Sequence, residues 1–203
     1  MEETARISMT LDEVTAFKQL VTGDASFADR ISLGFAMRLV WLQQKTGDDH
    51  GVLFEIQHLE QGVPTTTKPA EQFKHAPLRP FWHKHFFSSR HLLSNVGERW
   101  NITRGHGNRD LDAMIKQVAS ELGHDPAMWP KLLTHRLLMG GIEERSEANR
   151  LTGDWIIFAK HVGRNYYLDL ATHEEGEVEN APGLLNKLRN SSSTDFPFLF
   201  DGQ

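Results

Sequence analysis

The chain has 203 residues, 39% of them hydrophobic and 24% charged, with a net charge of −5 and no cysteine. That length can bury a core without covalent staples, and the lack of cysteine excludes disulfides, thiolate metal sites and cysteine nucleophiles. The acidic balance argues against indiscriminate coating of nucleic acid, while leaving room for a local basic groove.

One domain is expected over residues 1–203, with a flexible loop at 61–80 and a terminal tail at 191–203. The opening MEETARISMTLDE lacks a basic stretch followed by an apolar one, so no secretory signal is expected. No apolar run approaches the ~20 residues of a membrane span, and a cytoplasmic setting without membrane contact is the expectation.

Thr10-Leu-Asp-Glu13 reads as a capping box opening a helix from Leu11 to about Val21. A second helix is predicted from near Ser26. Its apolar residues Ile31, Phe35, Leu39 and Leu42 recur at helical steps, and Gly47 follows its end. Gly51 to Leu59 alternates as a strand would. Gln61 to Pro80 is rich in proline and threonine and reads as a long loop.

From Phe81 to Val96 there is no proline or glycine, which favours a helix, although the aromatic content also permits a strand. A helix from about Asp110 to Leu122 carries the apolar stripe Leu111, Met114, Ile115, Val118 and Leu122. Asp125-Pro126 supplies an N-cap and an N1 proline for the next helix, which runs to Gly140-Gly141. The charged IEERSEANR continues helical to about Arg150. GDWIIFAKH and YYLDLATH, joined by a turn at Val162–Asn165, read as an antiparallel hairpin at about 153–171. An acidic loop, a short helix APGLLNKLRN and a linker SSSTD lead to FPFLF, which must either dock on the domain or form a sticky tail. The predicted class is α+β: a mainly helical body with a small antiparallel sheet that includes the hairpin.

The charge is unevenly distributed. Residues 74–109 hold Lys74, Arg79, Lys84, Arg90, Arg99, Arg104 and Arg109 against Glu98, so 7 − 1 = +6. The remainder has 15 basic and 26 acidic residues, or −11. The same segment holds His75, His83, His85, His91 and His106. A basic stretch points to an anionic partner, and clustered histidine points to proton transfer or metal.

In Trp82-His83-Lys84-His85-Phe86, a strand would put His83 and His85 on one face. A helix would separate them by about 200° and align His83 with His91 beside Arg90. Two imidazoles and a cation are the equipment for metal-free phosphodiester cleavage, in which RNA supplies its own 2′-hydroxyl. The leading expectation is a small metal-independent ribonuclease. His83 and His91 form the acid–base pair, His85 is a further catalytic candidate, and Lys84 and Arg90 hold phosphate. The glycine-flanked loop Arg104-Gly-His-Gly-Asn-Arg109 precedes a helix and adds Arg104 and Arg109 as phosphate ligands, with His106 nearby. His161, Arg164 and His173 on the hairpin are secondary candidates.

Two other readings follow from the same residues. A non-enzymatic module, such as an accessory or inhibitor protein of a mobile element, would dock an acidic protein or nucleic acid through the basic segment. A metal hydrolase would use His83, His85 and His91 with Glu98 or Asp110 to hold zinc or another divalent ion. The spacing matches no strong metal signature and the flanking Lys and Arg repel a dication, so no cofactor is expected. Packing in an ordinary core competes with all three, because Trp82, Phe86, Phe87, Leu92 and Leu93 are apolar.

Overall fold

The computed structural model describes residues 8–88, 92–102, 107–140 and 154–201. Seven α-helices and four strands are present among them: α1 Leu11–Thr22, α2 Leu33–Lys45, α3 Asp49–Gln61, β1 Glu71–Gln72, β2 Trp82–Phe86, α4 Leu92–Trp100, α5 Arg109–Leu122, α6 Trp129–His135, β3 Asp154–His161, β4 Arg164–Ala171 and α7 Ala181–Ser192. The fold is α+β, with the strands in one antiparallel sheet ordered β1-β2-β3-β4. No helix among the described residues is long and apolar enough to cross a membrane.

Local signals explain several boundaries. Thr10 and Glu13 form the predicted reciprocal capping box on α1, and Gly23 ends that helix in the left-handed region. The second helix starts later than expected. Ser32 caps α2 by accepting from the Phe35 amide, while Ala28–Arg30 forms one 3-10 turn before it. Asp125 accepts from the Ala127 and Met128 amides, as a cap would, but α6 opens only at Trp129. The continuation of that helix to Arg150 lies outside the described residues.

Two predicted elements are corrected. Gly51–Leu59 belongs to helix α3, not to a strand. Val52, Ile56 and Leu59 make a stripe at steps of four and three toward the core, and Gly62 closes the helix with φ +67°. Phe81–Val96 is not one helix. Trp82–Phe86 is a strand, and α4 begins at Leu92. The deciding partner is β3, whose residues 154–158 pair with β2 from about 70 positions away in the chain. No local pattern carries that information.

Apolar side chains cover both faces of the sheet. On one face Phe35, Leu39, Ile56, Phe86, Ile156 and Phe158 join α2 and α3 to the strands. On the other, Phe81, Ile157, Leu168, Leu184, Leu188 and Phe196 join α7 and the C-terminal segment to them. The predicted docking of FPFLF is therefore realised through Phe196, Leu199 and Phe200. α2 and α7 meet beyond the edge of β4, where a Cβ on Gly34 would stand 2.5 Å from Cβ of Ser191.

Buried charge fastens this frame. Arg30 pairs with Glu60, which also accepts from the Tyr167 hydroxyl at 2.6 Å and from the Asn165 amide at 3.0 Å. Burial and that carboxylate hold the Tyr167 hydroxyl protonated, well above its ordinary range. Lys84, pointing to the α3 side of β2, lies 3.0 Å from Glu55. It also donates to Thr65, Thr67 and the Lys68 carbonyl. One ammonium thus ties the 61–70 loop, α3 and the sheet together.

Lys84→Ala is expected to leave the Glu55 carboxylate buried without its counter-charge. Urea denaturation should then show a loss of about 3–5 kcal/mol. The double variant Glu55→Leu/Lys84→Met should recover much of that loss, because it removes both charges and restores apolar volume.

Candidate functional site

Side chains alternate across a strand, so β2 divides the histidine-rich segment between two faces. Lys84 goes to the α3 side, and His83 and His85 go to the α7 side. The ladder then sets their neighbours. His85 pairs with Trp155 of β3, and Trp155 pairs with Ala171 of β4. Two residues past Ala171 the chain presents His173.

Trp155 is the hub of the resulting cluster. Its ring lies 4.5 Å from that of His83, 4.6 Å from that of His173 and 5.9 Å from that of His85, between centroids. His85 is 5.7 Å from His83 and 5.3 Å from His173. Phe73 closes the other side at 4.8 Å from His83 and 5.6 Å from Trp155. The loop carrying His173 is pinned by reciprocal bonds, Thr172 N–H to Glu175 at 2.8 Å and Glu175 N–H to the Thr172 hydroxyl at 3.1 Å. Lys187 of α7 holds the same carboxylate at 2.7 Å. Gly176 lies flat on the indole: a Cβ there would fall 1.6 Å from a Trp155 ring carbon, so only glycine fits while the ring stays in place.

The three imidazoles sit in different surroundings. His173 is exposed, His83 is half-buried and His85 is buried. The Trp155 indole N–H approaches His85 Nε2 at 3.3 Å. An indole nitrogen only donates, so His85 Nε2 accepts and its neutral ring carries the proton on Nδ1. Burial lowers the His83 pKa to about 4; Glu71 opposes the shift, and His173 and Lys68 reinforce it. His83 is therefore uncharged at neutral pH, and a charge on His173 disfavours a second one on His83. The His83 Nδ1 atom is buried and has no hydrogen-bond partner among the described residues.

The predicted site residues separate into groups. His83, His85 and His173 come together. Lys84 does not join them, because it is on the opposite face and engaged by Glu55, so its assignment as a phosphate ligand beside the histidines is corrected. His161 is at the far end of β3, about 20 Å from Trp155 at the usual rise of a strand, against Phe198 at 4.7 Å. Arg164 is at that same end and pairs with Asp29 at 3.1 Å. Arg109 is exposed at the start of α5. Arg90, His91, Arg104 and His106 lie outside the described residues. Among the described residues no group of three or more histidine or carboxylate side chains is arranged to hold a metal ion. Trp155, Gly176, Phe73, Lys68 and Glu71 belong to the site without having been singled out. Trp155 is read in the sequence only as part of the hairpin, Glu71 comes from the two-residue strand β1, and Lys68, Phe73 and Gly176 come from loops whose approach to His83 or Trp155 has no local signature.

No protein-family model, curated protein or solved structure matches the chain.

The depressed pKa of His83 gives a pH dependence. Its unfolded value is near 6.5 and its folded value about 4, so between these the unfolded chain binds more protons. Its contribution to stability is complete above about pH 6.5 and is lost as pH falls toward 4. Thermal denaturation across this window should show a falling Tm, with a shallower fall in His83→Phe. Equal slopes in the two proteins would mean that the folded imidazole protonates as freely as the unfolded one.

Proposed function

We propose that the chain is a metal-independent ribonuclease in which His83 is the general base and His173 the general acid. The carrying observation is the pairing of a neutral, half-buried imidazole with an exposed one around a single indole, with each opposing charge on the other. Paired groups whose surroundings drive their protonation apart are suited to divide base and acid roles. His173 is named as the partner because it and His83 flank the same indole; the expected partner, His91, lies outside the described residues. Phosphate as the substrate group rests on Lys68, whose charge acts on His83.

In this reaction His83 takes the proton of the ribose 2′-hydroxyl as that oxygen attacks phosphorus. The P–O5′ bond breaks, and His173 delivers its proton to the departing 5′-oxygen. A 2′,3′-cyclic phosphate and a 5′-hydroxyl result, with no net change in protons. His85, locked by Trp155, positions the two rings and does not exchange protons. Lys68 supplies positive charge to the phosphorane oxygens.

The test is cleavage of single-stranded RNA in the presence of a chelator. His83→Ala and His173→Ala should each lower kcat by roughly 10²–10⁴-fold, the range for loss of a general acid or base. A 2′-deoxy substitution at the scissile nucleotide should block the reaction. Unaltered rates in both variants, or a salt-sensitive complex with no turnover by the parent protein, would overturn the proposal. The second outcome is what a non-enzymatic module docking nucleic acid or an acidic protein would give.

A further inference from the structure

The sheet end that carries the histidines also carries a cavity of about 290 Å³, lined from Trp41 and Leu42 of α2 to Lys187 of α7. Three consecutive pairs of residues link the two. His85, Trp155 and His173 form the cluster, while their chain neighbours Phe86, Asp154 and Thr172 line the cavity. In β2 and β3 the pleat turns Phe86 and Asp154 away from His85 and Trp155, and Thr172 follows the end of β4, so cluster and cavity adjoin at one end of the sheet.

The cavity has three chemically distinct parts. Its walls are apolar, formed by Leu42, Phe86, Leu170 and Ala171. At its rim stands Trp41 of α2, 52% exposed although it is the largest side chain on that helix. Arg38, one turn earlier, is oriented there by its Nε bond to buried Asp169 at 3.3 Å. The polar end holds Asp154, Thr172, Glu175 and Lys187. Lys187 is fixed by Glu175 at 2.7 Å and by the Leu170 carbonyl at 2.9 Å.

We infer that this cavity is a nucleobase subsite for the substrate, taking bases that carry an exocyclic amine in preference to uracil. The inference rests on the ribonuclease reading for its connection to the histidines, but base binding can be measured without turnover. A flat heteroaromatic ring matches apolar walls with a tryptophan at the mouth, because every base has a π-face for stacking. The carboxylates at the polar end are acceptors, and the amino groups of cytosine, adenine and guanine are donors. Uracil has no exocyclic donor to offer them. The Arg38 guanidinium at the rim is placed to meet the phosphate of a base seated inside. From there the strand passes round the sheet edge to His173.

The experiment titrates the full chain with AMP, GMP, CMP and UMP by calorimetry, with ribose 5-phosphate as the control lacking a base. AMP, GMP and CMP should bind more tightly than UMP, and ribose 5-phosphate should bind far more weakly than any of the three. Trp41→Ala, a change at an exposed position, should weaken the three by roughly 5- to 150-fold, the range for losing one base-stacking contact. His173→Ala should leave these affinities unchanged. Equal affinity for UMP, equal affinity for ribose 5-phosphate, or no effect of Trp41→Ala would overturn the subsite. Binding as described in a protein that cleaves no RNA would keep the subsite and reject the ribonuclease reading. Cleavage by a protein that binds no mononucleotide would do the reverse.

Discussion

The pleat of β2 decides what the histidine-rich segment is able to do. Five residues, Trp82–Phe86, are held in register between β1 and β3, and successive side chains must leave on opposite sides. Lys84 is thereby sent into the layer of α3, where a bare ammonium would be prohibitively costly and Glu55 with two threonines meets it. His83 and His85 are sent to the other face, onto Trp155. A shift of one residue in register would exchange these roles, putting a charge on the indole and imidazoles against Glu55. The buried Lys84–Glu55 pair therefore acts as a register lock for the histidine cluster as well as a clamp on the 61–70 loop.

Desolvation, rather than attraction, gives the cluster its character. Apolar and aromatic neighbours, Phe73 and Trp155 above all, remove water from His83 and make its charged form costly. Glu71, cross-strand from His83, opposes this only in part. His85 is constrained differently, through the direction of one hydrogen bond from Trp155. His173 alone is presented to solvent. The site thus holds one imidazole kept neutral, one kept oriented and one left accessible.

The sequence carried the elements whose evidence is local. The capping box at Thr10–Glu13, the apolar stripe of α5 and the alternating hairpin with its tight turn each need only neighbouring residues, and each is present. Short segments that satisfy two periods failed. Gly51–Leu59 alternates over nine residues, yet Val52, Ile56 and Leu59 also fall on one helical face, and α2 beside it favours the helix. His83 and His85 were legible as a shared-face pair only under the strand alternative, and their union with His173 depends on the β3–β4 register. The +6 segment also overstated the available positive charge. Lys84 is neutralised by Glu55, and Arg99 faces Asp110 at 3.2 Å. Composition counts charges but not their partners.

His83 and His173 flank one indole, and a proton on either disfavours a proton on the other. Titrating the imidazole ring protons by NMR reads this directly, residue by residue. His83 should titrate near pH 4 in the parent protein, and its pKa should rise when His173 is replaced by Ala, because one source of repulsion is removed. A His83 that titrates near 6.5, or one indifferent to the loss of His173, would contradict the account.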